Sequence, residues 1–125
     1  MKFKWEWTGQ EATLLDLQRQ VGPGWSKIVQ DMCEDLEALG WDGSVYQIKE
    51  KFGGLRFYFE PRGIPDKFRR IAFHTEFYYE GHSLQYCEEC GNPGHARGPG
   101  WIRTLCKAHA IKNGKNLLDH EKEKA

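Results

Sequence analysis

The chain carries no excess charge of either sign: 18 Lys and Arg stand against 18 Asp and Glu over 125 residues. That balance argues against a dedicated non-specific nucleic-acid binder, which shows a strong basic excess. No apolar run approaches the roughly 18–20 residues needed to cross a bilayer. The opening segment, MKFKWEWTGQ, lacks the apolar core of an export signal. The expectation is a cytoplasmic protein with no membrane partner. Internal repeats and long linkers are absent. Gly53-Gly54 is not followed by Gly-Lys-Ser/Thr, so no phosphate loop is supported. No Ser/His/Asp constellation or activated cysteine is recognisable, so no catalytic residue is assigned.

Aromatic residues are plentiful, at 14% with five Trp, which fits a packed globular protein rather than a disordered one. The length suits a single domain over 1–125. Within it, 1–86 reads as an α+β part, 87–112 as a metal-binding module and 113–125 as a charge-rich tail, helical or frayed. Phe3, Trp5 and Trp7 alternate with charged residues, a short strand signal. Leu14, Leu15 and Leu17 allow a turn or two of helix. Trp25, Ile28, Val29, Met32, Cys33 and Leu36 form one apolar face of a helix over about 24–38, which Gly40 ends. Cys33 is read as a small core residue. Residues 44–60 read as a β-hairpin turning at Gly53-Gly54. A second helix is expected over about 65–79, with Phe68, Ile71, Ala72, Thr75 and Tyr79 facing inward. Lys67, Arg69 and Arg70 at its start oppose the helix dipole.

The four cysteines include Cys87, Cys90 and Cys106, which with His109 give C-x2-C-x15-C-x2-H. Two residues between paired ligands let both side chains turn onto one ion, and thiolates with an imidazole favour tetrahedral Zn²⁺. Cys-x2-Cys is a poor disulfide spacing, so zinc is preferred to disulfides. Four protein ligands leave no open position, so one structural ion is expected. Gly91 lets the chain turn after Cys90. The Gly/Pro-rich stretch 92–105 suits a hairpin, and Cys106 and His109 share a helix face. Knuckle, hairpin and helix together describe a treble-clef-like zinc finger. His95 and His82 also lie near, but only His109 has the spacing.

CEECGNPG with LC-x2-H resembles the finger of the DksA/TraR family of RNA-polymerase-binding regulators. Here the last ligand is His109, the gap is shorter, and the family's coiled-coil arm with acidic tip residues is missing, so transcription-factor function does not transfer. The wider layout is GW-x2-IV, then QIKEKFGGLRFYF, then CEECG with GWIRTLC-x2-HA. Over residues 22–110 it resembles a group of small uncharacterised zinc-binding proteins encoded by bacteriophages and prophages. That resemblance implies a bacterial cytoplasm and an accessory role. The expected function is a non-enzymatic adaptor or inhibitor of a host bacterial protein, with anti-defence roles included.

Three surfaces could carry a function. No Asp or Glu falls between Cys90 and Asp119, whereas Arg97, Arg103, Lys107, Lys112 and Lys115 do. With Trp101, the set Arg97, Arg103, Lys107 and Lys112 could hold phosphate and stack a base, the alternative, nucleic-acid-binding reading. The preferred reading is that these side chains solvate a small module and offset its anionic zinc–thiolate centre. Tyr78, Tyr79, Tyr86 and Trp101 are candidates for a protein interface, since Trp and Tyr dominate hot spots; burial in the core is the competing reading. An HNH-type nuclease would also use a treble clef, but His109 is not free for catalysis if it ligates the ion. The fold expected is thus α+β: a helix packed on a β-hairpin, a second helix and the finger.

Overall fold

The computed structural model describes residues 1–123. The chain opens with β1 (Phe3–Trp5) and β2 (Glu11–Ala12), an antiparallel pair. Helix α1 (Leu14–Gln18) follows, held by a capping box in which Thr13 and Asp16 satisfy each other's backbone N–H groups. A 3-10 turn at Pro23–Trp25 leads into α2 (Ser26–Ala38). Strands β3 (Ser44–Lys51) and β4 (Gly54–Phe59) form the hairpin. A second 3-10 turn at Asp66–Phe68 starts α3 (Arg69–Ser83). The remainder is β5 (His95–Arg97), β6 (Arg103–Leu105), α4 (Lys107–Lys112) and α5 (Asp119–Lys122).

The fold is mixed α+β. The main sheet has the order β2-β1-β3-β4, with β1 parallel to β3 and the other pairs antiparallel. One face of it meets α2. Trp25, Val29, Met32 and Leu36 are fully buried there against Val45, Leu55 and Phe57. All six apolar positions expected on this helix face inward. Cys33 is among them, and burial pushes its thiol up to about 12, so it packs as an apolar group.

The hairpin turns one residue earlier than expected. Lys51 pairs with Gly54, which places Phe52 and Gly53 at the turn, with φ of 53° and 80°. Two residues in the left-handed region suit a type I′ turn, whose twist matches the strands. Gly54 has a different task. A Cβ there would lie 3.3 Å from Leu84 Cδ2, so the missing side chain lets the end of α3 approach.

Helix α3 runs to Ser83, beyond the expected end; of its expected inner face Ala72 is buried and Phe68 and Tyr79 pack against the core, while Ile71 turns outward. Ile71 is 51% exposed, whereas Ala72 and Ser83 are fully buried. The reason is that α3 lies along the open edge of β4. Ser83 Oγ accepts the Leu55 N–H at 2.9 Å, and Glu76 accepts the Phe57 N–H at 3.4 Å. Polar side chains thus complete a strand that no neighbouring strand covers, which blocks edge-to-edge pairing. Burial raises the Glu76 carboxyl above its usual value. Arg69 meets Asp66 at 3.1 Å, easing the charge conflict at the helix start.

The tail is docked over its described residues. Glu121 of α5 is buried and grips Arg97 through both oxygens, at 2.5 and 2.7 Å. Asn116 N–H donates to Gly98 O at 2.6 Å. These contacts tie residues 116–121 to β5 and the loop after it; Lys124 and Ala125 of the expected tail lie outside the described residues.

Candidate metal centre and surface cleft

The cluster is built by three local structures. Gly91, at φ 80°, turns the chain after Cys90, and its N–H donates to Cys87 O at 2.8 Å. Strands β5 and β6 then bring the chain back antiparallel. Cys106 is the N-cap of α4, and the Ala110 N–H closes the first turn onto Cys106 O at 2.8 Å. His109 follows within that turn.

The ligand atoms of Cys87, Cys90, Cys106 and His109 all lie within 4.8 Å of one another. Cys90 and Cys106 sulfurs are 3.7 Å apart, and His109 Nδ1 lies 3.2 Å from Cys106 Sγ and 3.5 Å from Cys87 Sγ. A tetrahedron with metal–sulfur bonds of about 2.3 Å has sulfur–sulfur edges of about 3.8 Å. The cluster therefore fits one metal ion, with His109 offering Nδ1. His95 does not join: it sits on β5, exposed and paired with Leu105. Burial pushes the Cys87 thiol up, yet N–H groups of Cys106, Cys90 and Glu89 outweigh it and bring the thiol down to about 7. For Cys90 the Asn92 N–H lowers the thiol, but burial and the sulfurs of Cys87 and Cys106 raise it on balance. Three thiols crowded this closely resist ionising together unless a cation joins them.

The centre is wedged against the main core. Gly24 N–H donates to Glu88 O at 2.8 Å, and Trp25 Nε1–H donates to Tyr86 O at 3.0 Å. A Cβ on Gly24 would fall 2.0 Å from Cys87 O and 2.5 Å from Gly91 N. The glycine is needed because the knuckle backbone occupies that space.

The expected basic surface is largely consumed internally. Arg97 is 3% exposed, in its pair with Glu121 and bonded to Leu105 O at 2.8 Å, so it is not a phosphate ligand. Arg103 bonds Glu88 at 2.8 Å and Asn113 at 3.1 Å. Burial draws Arg103 down, but the Glu88 carboxylate raises it on balance. Lys115 caps Pro99 O and Trp101 O. Of the proposed phosphate contacts, Lys107 and Lys112 carry no ion pair among the described residues.

The aromatic candidates divide. Tyr79 is half-buried with its hydroxyl on Asp35, and Tyr86 is half-buried against the core and 4.8 Å from the His82 ring. Both serve packing. Tyr78 is 61% exposed and Trp101 67%. Sequence reasoning missed two features. On α3, Phe73 and Phe77 join Tyr78 and Ile71 at the surface. At the hairpin tip, Phe52 is 67% exposed despite its left-handed backbone. Phe52 and Trp101 flank an apolar cleft of about 350 Å³, completed by Lys51, Gly100 and Ile102. Glu50 braces it, accepting Trp101 Nε1–H at 2.8 Å and Gly53 N–H at 2.8 Å. Thr104 Oγ1–H donates to Gly53 O at 2.6 Å from the metal module. A phenylalanine one position before two glycines, just past a strand, was the available signal.

Compared with protein-family profiles, curated proteins and solved structures, the chain finds no match. No helix among the described residues is long and apolar enough to cross a membrane.

Proposed function

We propose that the protein is a non-enzymatic zinc-binding adaptor or inhibitor that binds a protein of a bacterial host, in a phage or prophage setting, with defence proteins among its targets. The ion is one structural Zn²⁺ held by Cys87, Cys90, Cys106 and His109. Three sulfurs and one imidazole are a soft donor set, and the spacing of the sulfurs suits zinc's tetrahedron. Four protein ligands leave no coordination position for a substrate. Knuckle, hairpin and helix occur in treble-clef order, and on that order we class the module with treble-clef fingers.

The observation that carries the partner reading is the cleft between Phe52 and Trp101. A bulky residue in the left-handed region costs about 1–3 kcal/mol and persists where surroundings enforce it, commonly at functional sites. Here the cost leaves the ring in solvent rather than in the core. Two exposed aromatics over an apolar floor, braced by Glu50 and Thr104, have the composition of an interface hot spot. A nucleic-acid surface on the finger is the weaker reading, because Arg97 and Arg103 are occupied by Glu121 and Glu88.

The test is a tagged capture from bacterial lysate, with and without nuclease, with wild type and Phe52→Gly in parallel. A protein held by wild type and lost by the variant supports the adaptor. Retention that vanishes with nuclease, or an identical catch from both proteins, counts against it.

A further inference from the structure

The outer face of α3 belongs neither to the metal centre nor to the cleft. Ile71, Phe73, Phe77 and Tyr78 are 50–73% exposed along two turns of one helix. An apolar surface of this kind on a helix is a mark of an interface. Phe73 is anchored, stacking on Phe59 at 5.2 Å, so the patch is fixed rather than loose.

Two further features say what fits it. The first is charge. Helix α2 packs beside α3, with Asp35 on Tyr79, so Asp35 borders the far end of the groove between them, while Asp31 is paired with Lys27 at 2.5 Å. Arg70 lines the same groove, near the opposite end, and makes no ion pair among the described residues; Lys67 is also unpaired there. The surface is therefore basic at one end, aromatic in the middle and acidic at the other. A two-fold axis across α3 sets the basic end of one copy on the acidic end of its partner. That is the self-complementarity an isologous dimer requires.

The second is Gly81. It lies inside α3, one helical turn beyond Phe77, on the outward side opposite Ala72. A Cβ there would meet nothing within 4 Å, so no contact among the described residues explains the glycine. Glycine in a helix costs up to about 1 kcal/mol relative to alanine, least in the last turn, where Gly81 sits. It does, however, let a second helix approach closely, and in an antiparallel crossing it offers a hollow for an aromatic ring of the other copy.

We infer that the protein forms a two-fold dimer through antiparallel α3 helices, Phe73 and Phe77 of each copy packing over the region of Gly81 in the other. Arg70 of each copy then faces Asp35 across the axis. The interface uses elements other than the cleft, so a dimer would present two clefts, and its test is independent of partner binding.

Sedimentation of the zinc-loaded full chain from about 1 µM to about 1 mM spans the range in which a modest interface dissociates. The expected result is a concentration-dependent monomer–dimer equilibrium. Phe77→Glu and Gly81→Leu change groups that face solvent in the single chain, and each should weaken dimerisation at least about ten-fold, a loss of about 1.4 kcal/mol. Arg70→Glu should weaken it too, and the double change Arg70→Glu with Asp35→Lys should recover part of the loss. Circular dichroism and zinc content should stay at wild-type values. A monomer across the whole range overturns the inference, and so does a dimer that tolerates both Phe77→Glu and Gly81→Leu. In the first case, the face is left to a different protein.

Discussion

Replacing Phe52 by glycine should change the stability of the fold little while removing one wall of the cleft. Phe52 sits at φ 53° and is 67% exposed. A side chain in the left-handed region costs about 1–2 kcal/mol. Glycine removes that cost but loses about 0.5–1 kcal/mol through the greater freedom of its unfolded chain. The buried third of the ring contributes a further 0.5–1 kcal/mol or so, which either substitution forfeits. Phe52→Gly should therefore fall within about 1 kcal/mol of wild type. Phe52→Ala keeps the strain and loses the ring, so it should be less stable than Phe52→Gly by up to about 1 kcal/mol. Urea denaturation of the zinc-loaded protein, with the slope held fixed across variants, measures both differences. A calorimetric midpoint for glycine about 2–5 °C above that for alanine would agree. If alanine is more stable than glycine, Phe52 is not strained. If glycine costs well over 1 kcal/mol, the ring is a packing residue and the cleft loses its functional argument.

Other consequences are equally open to measurement. Ser83→Ala leaves the buried Leu55 N–H without its acceptor, and should lower unfolding free energy by about 1–3 kcal/mol; isosteric Ser83→Cys should not fully restore it. Gly24→Ala drives a Cβ into the knuckle backbone, so zinc affinity should fall and the unfolding midpoint with it, as competition with a chromophoric chelator would show. The Arg97 hydrogen bond, opposed by burial, holds the Glu121 carboxyl down at about 2 against an ordinary 4.5. Its folded value is depressed, so the stabilisation is complete above pH 4.5 and is lost as pH falls toward 2. Glu121→Gln should flatten acid unfolding in that window, and in doing so leave Arg97 without its counter-charge, a cost of about 3–5 kcal/mol for a fully buried pair. Metal removal with a strong chelator should abolish hydrogen-exchange protection in residues 87–123 first, because binding energy at such a site is folding energy.

The elements legible in the sequence were those whose pattern is local. The face of α2 carries six apolar residues at helical spacing, and burial follows that spacing directly. The metal ligands are two short pairs, and the fold needed only to bring the pairs together. Helix α3 was harder because its partner is the edge of β4. An edge needs acceptors, so Ser83 and Glu76 point inward and the apolar residues Ile71 and Phe77 point out, the reverse of the usual pattern. The basic stretch misled for a related reason. Counting charge along the chain treated Arg97 and Arg103 as free, while Glu121 and Glu88 reach them from outside the stretch. Phe52 was hidden by the two glycines after it: both could have formed the turn, and only the proximity of Leu84 to Gly54 shows which one is needed elsewhere.

A single ion bound by three sulfurs and one histidine nitrogen is the foundation of the proposed function. X-ray absorption at the zinc edge on protein expressed without added metal, together with the metal content per chain, tests it most directly. One zinc per chain with a first shell of three sulfurs and one nitrogen, changing to two sulfurs in Cys106→Ser or losing the metal altogether, is the predicted result. A chain that folds fully without metal, or a first shell of oxygen and nitrogen that Cys106→Ser leaves unchanged, would contradict it.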